Sequence, residues 1–234
     1  MKIKTTSAVA ALAALLSACG GGGGDGAASP ASASPAPVTA AAIFPLDTAY
    51  KQVATTGISL NGTAIDGADT WTIALSVAPT SDETFEGVTA KKSLQAVTIK
   101  RNGATVVSSS GESYFTLNPF SLKGLKLNDG TYGVQTVASG VLSNAAKVGD
   151  SGSLGITTIY SNSSKSSVLS TQEGTWTLEA DTATTAFGCS NITSKNASGT
   201  VMGTISGCYK IDTNGTVKGM KYTVAVSNRT LVFR

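Results

Sequence analysis

The sequence predicts an all-β protein of antiparallel meander strands, forming a sandwich or a partly closed barrel, as one unit or as two subdomains. Three observations carry that prediction. Apolar and polar residues alternate with period two, as in Trp71-Thr72-Ile73-Ala74-Leu75-Ser76-Val77, where Trp71, Ile73, Leu75 and Val77 share one face. Turn dipeptides such as Asn102-Gly103 and Asp129-Gly130 separate these runs. Only 13% of the residues are charged, while Gly, Ser, Thr and Ala dominate, which suits strands and tight turns better than long amphipathic helices.

In chain order, the first 18 residues read as an export signal. Lys2 and Lys4 give a positive start, residues 7–16 are almost unbroken Ala, Val and Leu, and Leu16-Ser17-Ala18-Cys19 ends the run. An apolar run of about ten residues is half of what a membrane-crossing helix requires. Leu16-Ser17-Ala18-Cys19 resembles the lipobox of bacterial lipoproteins. The resemblance implies that Cys19 becomes the mature N-terminus, carries a diacylglyceryl thioether and an acylated amine such as a palmitoyl amide, and anchors the chain to membrane lipid. Gly20 follows Cys19, where inner-membrane lipoproteins of enterobacteria carry Asp, so by the same resemblance the expected location is the outer membrane of the cell envelope. Two or more acyl chains anchor stably where one does not. Loss of Lys2 and Lys4 takes two of 17 basic residues against 14 acidic ones. The remainder is near neutrality, with no electrostatic footprint for nucleic acid.

Residues 19–41 are the lipidated cysteine and a linker. Five glycines (residues 20–24) pass into Ala, Ser and Pro, including Pro30, Pro35 and Pro37, a composition unable to bury enough apolar surface to order itself. As a flexible coil of about 22 residues it would span roughly 25 Å.

From Ile43 onward the signals read as strands. Runs at 94–100 and 104–108 flank Asn102-Gly103, and 125–127 and 132–137 flank Asp129-Gly130. The run at 114–120 is broken by Pro119 and reads as a strand entering a loop. The second half predicts a meander of strands at 154–160, 167–171, 174–180, 183–192, 200–212, 216–226 and 230–233. A boundary between a 42–148 and a 149–234 subdomain is expected at Gly149-Asp150-Ser151-Gly152-Ser153. That run surrounds the nucleophile in trypsin-like proteases, but the reaction needs an imidazole and the chain has no histidine. It reads as a polar turn.

The absence of histidine also removes the commonest general base and metal ligand. No metal, cofactor or catalytic residue is assigned. With Cys19 given to lipid, Cys189 and Cys208 remain, and in an oxidising compartment they are expected to pair. Their midpoint falls between Ser198 and Gly199, inside the turn expected at 196–199. In a symmetric hairpin they would stand opposite one another, about 4.5–5.5 Å apart, on the face opposite Val201, Ile205, Tyr209 and Ile211. A staple there would contribute about 3 kcal/mol.

Carboxylates are the remaining acid–base candidates: Asp66 with Asp69, Asp82 with Glu83 and Glu86, and Glu179 with Asp181. Asp66 and Asp69 lack the ligand spacing of an EF-hand loop. Trp71 and Trp176 sit in alternating runs, as core residues do, although exposed they would suit sugar stacking. Six Asn-x-Ser/Thr sequons, at Asn61, Asn162, Asn191, Asn196, Asn214 and Asn228, mark Asn-rich turns. The leading expectation is a non-enzymatic β-rich binding or structural module on a lipid tether. The meander looks like the small barrels of surface lipoproteins that bind host proteins or cofactors. A carboxylate-dependent glycan hydrolase and a lectin-like module are the alternatives.

Overall fold

The computed structural model describes residues 42–226 and 229–234; the export signal, Cys19, the linker and Asn228 lie outside them. Twelve strands run in chain order: β1 (Ile58–Asp66), β2 (Asp69–Phe85), β3 (Val88–Arg101), β4 (Ala104–Leu117), β5 (Phe120–Leu127), β6 (Tyr132–Val137), β7 (Ser151–Tyr160), β8 (Val168–Ala180), β9 (Thr185–Asn196), β10 (Val201–Asp212), β11 (Val217–Val226) and β12 (Arg229–Phe233). Each pairs antiparallel with the next, giving one 12-stranded meander sheet. The last strand returns to the first: the Thr63 N–H donates to the Arg234 carbonyl (3.0 Å) and the Arg234 N–H to that of Thr63 (3.2 Å). The sheet is thereby nearly closed into a barrel. It continues through the expected subdomain boundary, where β6 pairs with β7.

Period-two patterning decides which face turns inward. On β2, Trp71, Ile73, Leu75 and Val77 are buried, while Thr70, Thr72 and Ala74 are exposed. The same alternation puts Ile205, Tyr209 and Ile211 of β10 inside with Trp176 and Leu178 of β8. Membrane-spanning barrels carry the reverse pattern, with the apolar band outward. Asn102 (φ 49°) and Gly103 (φ 85°) form the expected two-residue turn, because both tolerate positive φ.

Three local expectations are corrected. Residues read as the start of the strand region form a helix, α1 (Leu46–Thr56). Its Leu46, Ala49, Tyr50, Val53 and Ala54 are buried at three-and-four spacing. The Thr-rich composition hid that stripe. The expected strands at 167–171 and 174–180 are one strand, β8, because Gln172 and Glu173 keep pairing with Ser194 and Thr193. As expected, the strand through Tyr114 runs into a loop at Pro119, which sits in the two-residue turn between Leu117 and Phe120, where no ladder N–H is required. Finally, Val201 is 56% exposed, because a register shift between Val201 and Gly203 takes it out of phase with Ile205.

Helix α1 packs against β2, β3 and β5 and fills one end of the barrel. The Tyr50 ring lies 5.9 Å from Phe120 and 5.7 Å from Tyr209, and its hydroxyl hydrogen-bonds Ser190 on β9. Ser93 on β3 donates to the Ala54 carbonyl (3.2 Å). Each fully buried side chain of this size contributes roughly 1.5–3 kcal/mol. The Tyr50 phenol is pushed up to about 12 by burial, against the opposing hydrogen bond from Ser190.

Candidate functional site

The most differentiated surface is the outer wall of β2–β6. β2 and β3 are the longest hairpin partners, and β3 meets β4 only from Lys91 onward. Beyond that point Glu83 pairs with Ala90, Thr84 with Thr89 and Phe85 with Val88, so the tip is a two-stranded arm. A register shift between Pro79 and Asp82 interrupts the β2–β3 ladder at the base of the arm, and a bulge of this kind bends a strand. The tip turns at Glu86 (φ 49°) and Gly87 (φ 79°).

The arm lies against the outside of the barrel. Phe85 is stacked between two tyrosines, with centroids 4.3 Å from Tyr114 on β4 and 5.3 Å from Tyr132 on β6. Beneath it Gly124 on β5 is obligatory, since a Cβ there would stand 2.5 Å from the Phe85 ring and 2.2 Å from the Gly133 carbonyl. The Lys126 ammonium lies 4.9 Å from the Tyr114 centroid and 6.0 Å from that of Phe85. All three rings are buried although none faces the barrel interior.

Charges rim this slot. Glu83 pairs with Lys92 (2.6 Å) and Lys126 (3.6 Å). Tyr114 donates to Glu112, Tyr132 donates to Glu86 (2.7 Å), and Lys165 of the β7–β8 turn pairs with Glu86. Hydrogen bonds from Lys165 and then Tyr132 hold the Glu86 carboxyl below the usual range. The hydrogen bond from Lys92 does the same for Glu83. Burial first, and then the neighbouring carboxylate, push the Tyr114 and Tyr132 phenols up.

Beside the arm, the outward faces of β2–β5 enclose a groove of about 480 Å³. Its apolar part is Ala78, Leu94 and Ala96; Glu112, Lys126 and Asn128 form a polar side. Leu94 is 47% exposed there.

The residues singled out in the sequence are placed as follows. Cys189 and Cys208 stand opposite one another at disulfide distance, Cα atoms 3.9 Å apart, on the outward face. Lys221 lies over the Phe187 ring (5.0 Å) and pairs with Glu179 beside them. Glu179 and the two sulfurs lie within 4.8 Å of one another, but sulfurs at bonding distance are committed to each other. The acidic clusters are salt-linked: Asp69 to Arg101, Asp82 to Lys91 (2.6 Å), Glu86 to Lys165 and Asp181 to Lys210 (2.7 Å). Burial is the largest influence on Asp181 and pushes it up. Hydrogen bonds from Lys210 and Thr185, with the charges of Lys210 and Lys221, outweigh it and hold the carboxyl low. Trp71 and Trp176 are both buried in the core, Trp71 under the Arg101 guanidinium (5.7 Å) and Trp176 against Gly152. Gly149-Asp150 is a turn, closed by the Asp150 carboxylate on the Lys147 N–H (2.8 Å).

The aromatic slot was not read from the sequence. One signal could have found it: Gly124 interrupts the alternating run 122–127, and a strand glycine often marks close approach of another group. Which group approaches depends on the fold. No family model matches this chain, and neither a curated protein nor a solved structure shows significant similarity to it.

Proposed function

We propose that the chain is a lipid-anchored protein of the cell envelope, held through acylated Cys19, whose β-barrel is a non-enzymatic binding module presenting its outer wall to a partner. The anchor rests on the order Lys2, Lys4, apolar run, Leu16-Ser17-Ala18-Cys19. The observation that carries the binding reading is the outer groove beside the aromatic slot, on a barrel whose inside holds an apolar cluster with α1 and buried polar side chains such as Gln95 and Gln172. In that groove Leu94, 47% exposed, supplies an apolar contact beside Glu112 and Lys126. An outer-membrane location follows from the resemblance at Gly20.

Mass spectrometry of the mature chain from the membrane fraction tests the anchor. The expected species begins at Cys19 and carries diacylglyceryl and acyl masses, and an inhibitor of lipoprotein signal peptidase blocks its formation. An unacylated mature chain in untreated cells would sink the anchor. For the binding reading, the full chain and its Leu94→Glu variant are compared in capture from envelope extract. Loss of a captured species with the variant is expected, and identical capture overturns the groove as the contact.

A further inference from the structure

The β2–β3 tip meets the wall much as a ligand meets a receptor. One aromatic side chain enters a slot formed by Tyr114, Gly124 and Tyr132, and two carboxylates, Glu83 and Glu86, reach cations and a phenol around it. Among the described residues no backbone hydrogen bond is seen between the tip and the wall beneath it. The contact is made by side chains alone, at the end of an arm with a register shift at its base. Nothing in such a contact requires that arm and slot belong to the same chain.

We propose that the slot also accepts the hairpin tip of a second copy, so that two chains exchange arms into a symmetric dimer with each Phe85 between the other's Tyr114 and Tyr132. The complementarity is already present: Phe85 fits the slot, Glu86 meets Lys165 and Tyr132, and Glu83 meets Lys126. Exchange of identical elements makes no new kind of interface and closes under two-fold symmetry. In this exchange the register shift at residues 79–82 would serve as the hinge. Closure in cis competes, so the dimer forms at high local concentration. The inference does not depend on lipid anchoring or on the groove's partner.

The test separates the two halves of the contact on full-length chains. An acceptor, Phe85→Ala, keeps the slot and loses the ring. A donor, Tyr114→Ala with Tyr132→Ala, keeps the tip and loses the slot. All three residues lie outside the barrel, and a cooperative melt with unchanged circular dichroism certifies each fold; Phe85→Leu and the single Tyr132→Ala serve if either variant fails. In sedimentation, donor and acceptor mixed are expected to form a 1:1 heterodimer while each alone stays monomeric. Lys126→Glu in the acceptor is expected to weaken the pair about tenfold. If the mixture remains monomeric at the highest concentration reached, or if acceptor alone associates as strongly as the mixture, the exchange is refuted.

Discussion

Replacing both Cys189 and Cys208 by alanine tests the pairing across β9 and β10. The two residues are separated by 19 positions. A closed loop of that size restricts the unfolded chain by about 3 kcal/mol at 25 °C in the chain-entropy treatment. Unfolding entropy near 2.1 cal/mol/K per residue gives about 0.4 kcal/mol/K for roughly 190 ordered residues, so the melting temperature should fall by about 7 °C. Alanine is preferred to serine because both positions are buried and a hydroxyl would add its own desolvation cost. The measurement is calorimetric melting of oxidised wild type and the variant, with thiol titration under denaturing conditions. A titration showing Cys189 and Cys208 free in the wild type, or a melting temperature unchanged in the variant, would refute the staple. A much larger fall would instead assign the stability to packing under Lys221 and Phe187.

Three further outcomes are expected. Tyr50→Phe removes the buried hydrogen bond from α1 to Ser190 and leaves that hydroxyl without its partner; urea unfolding should show a loss of about 1–2 kcal/mol. Glu86 is held low, so its contribution is present above the unfolded glutamate range and lost as pH falls through its depressed folded value; Glu86→Gln should therefore flatten the acid limb of stability against pH, and an unchanged limb would rule out the Lys165 pair. Tyr50, Tyr114, Tyr132, Tyr209 and Tyr222 all have raised phenols. Their contribution is complete below the unfolded tyrosine value of about 10 and is lost at higher pH, so ultraviolet titration should show most tyrosinate appearing together with alkaline unfolding, and early independent ionisation would contradict their burial.

The sequence by itself determined the elements whose physics is local. Alternation fixed the inward face of β2 and Asn102-Gly103 fixed a turn, because period and turn chemistry act over a few residues; the spacing of Cys189 and Cys208 foretold their opposition, which the register shift between Val201 and Gly203 completes. Helix α1 was harder to read, since its apolar stripe is short and the burial that stabilises it comes from β2, β3 and β5. Only the tertiary structure decided that Thr63 meets Arg234, that Phe85 lies between Tyr114 and Tyr132, and that the acidic clusters meet lysines and an arginine from other strands. Those partners range from nine residues apart, as for Asp82 and Lys91 across the β2–β3 hairpin, to well over a hundred for Thr63 and Arg234, and the most distant meet because the sheet curves and closes.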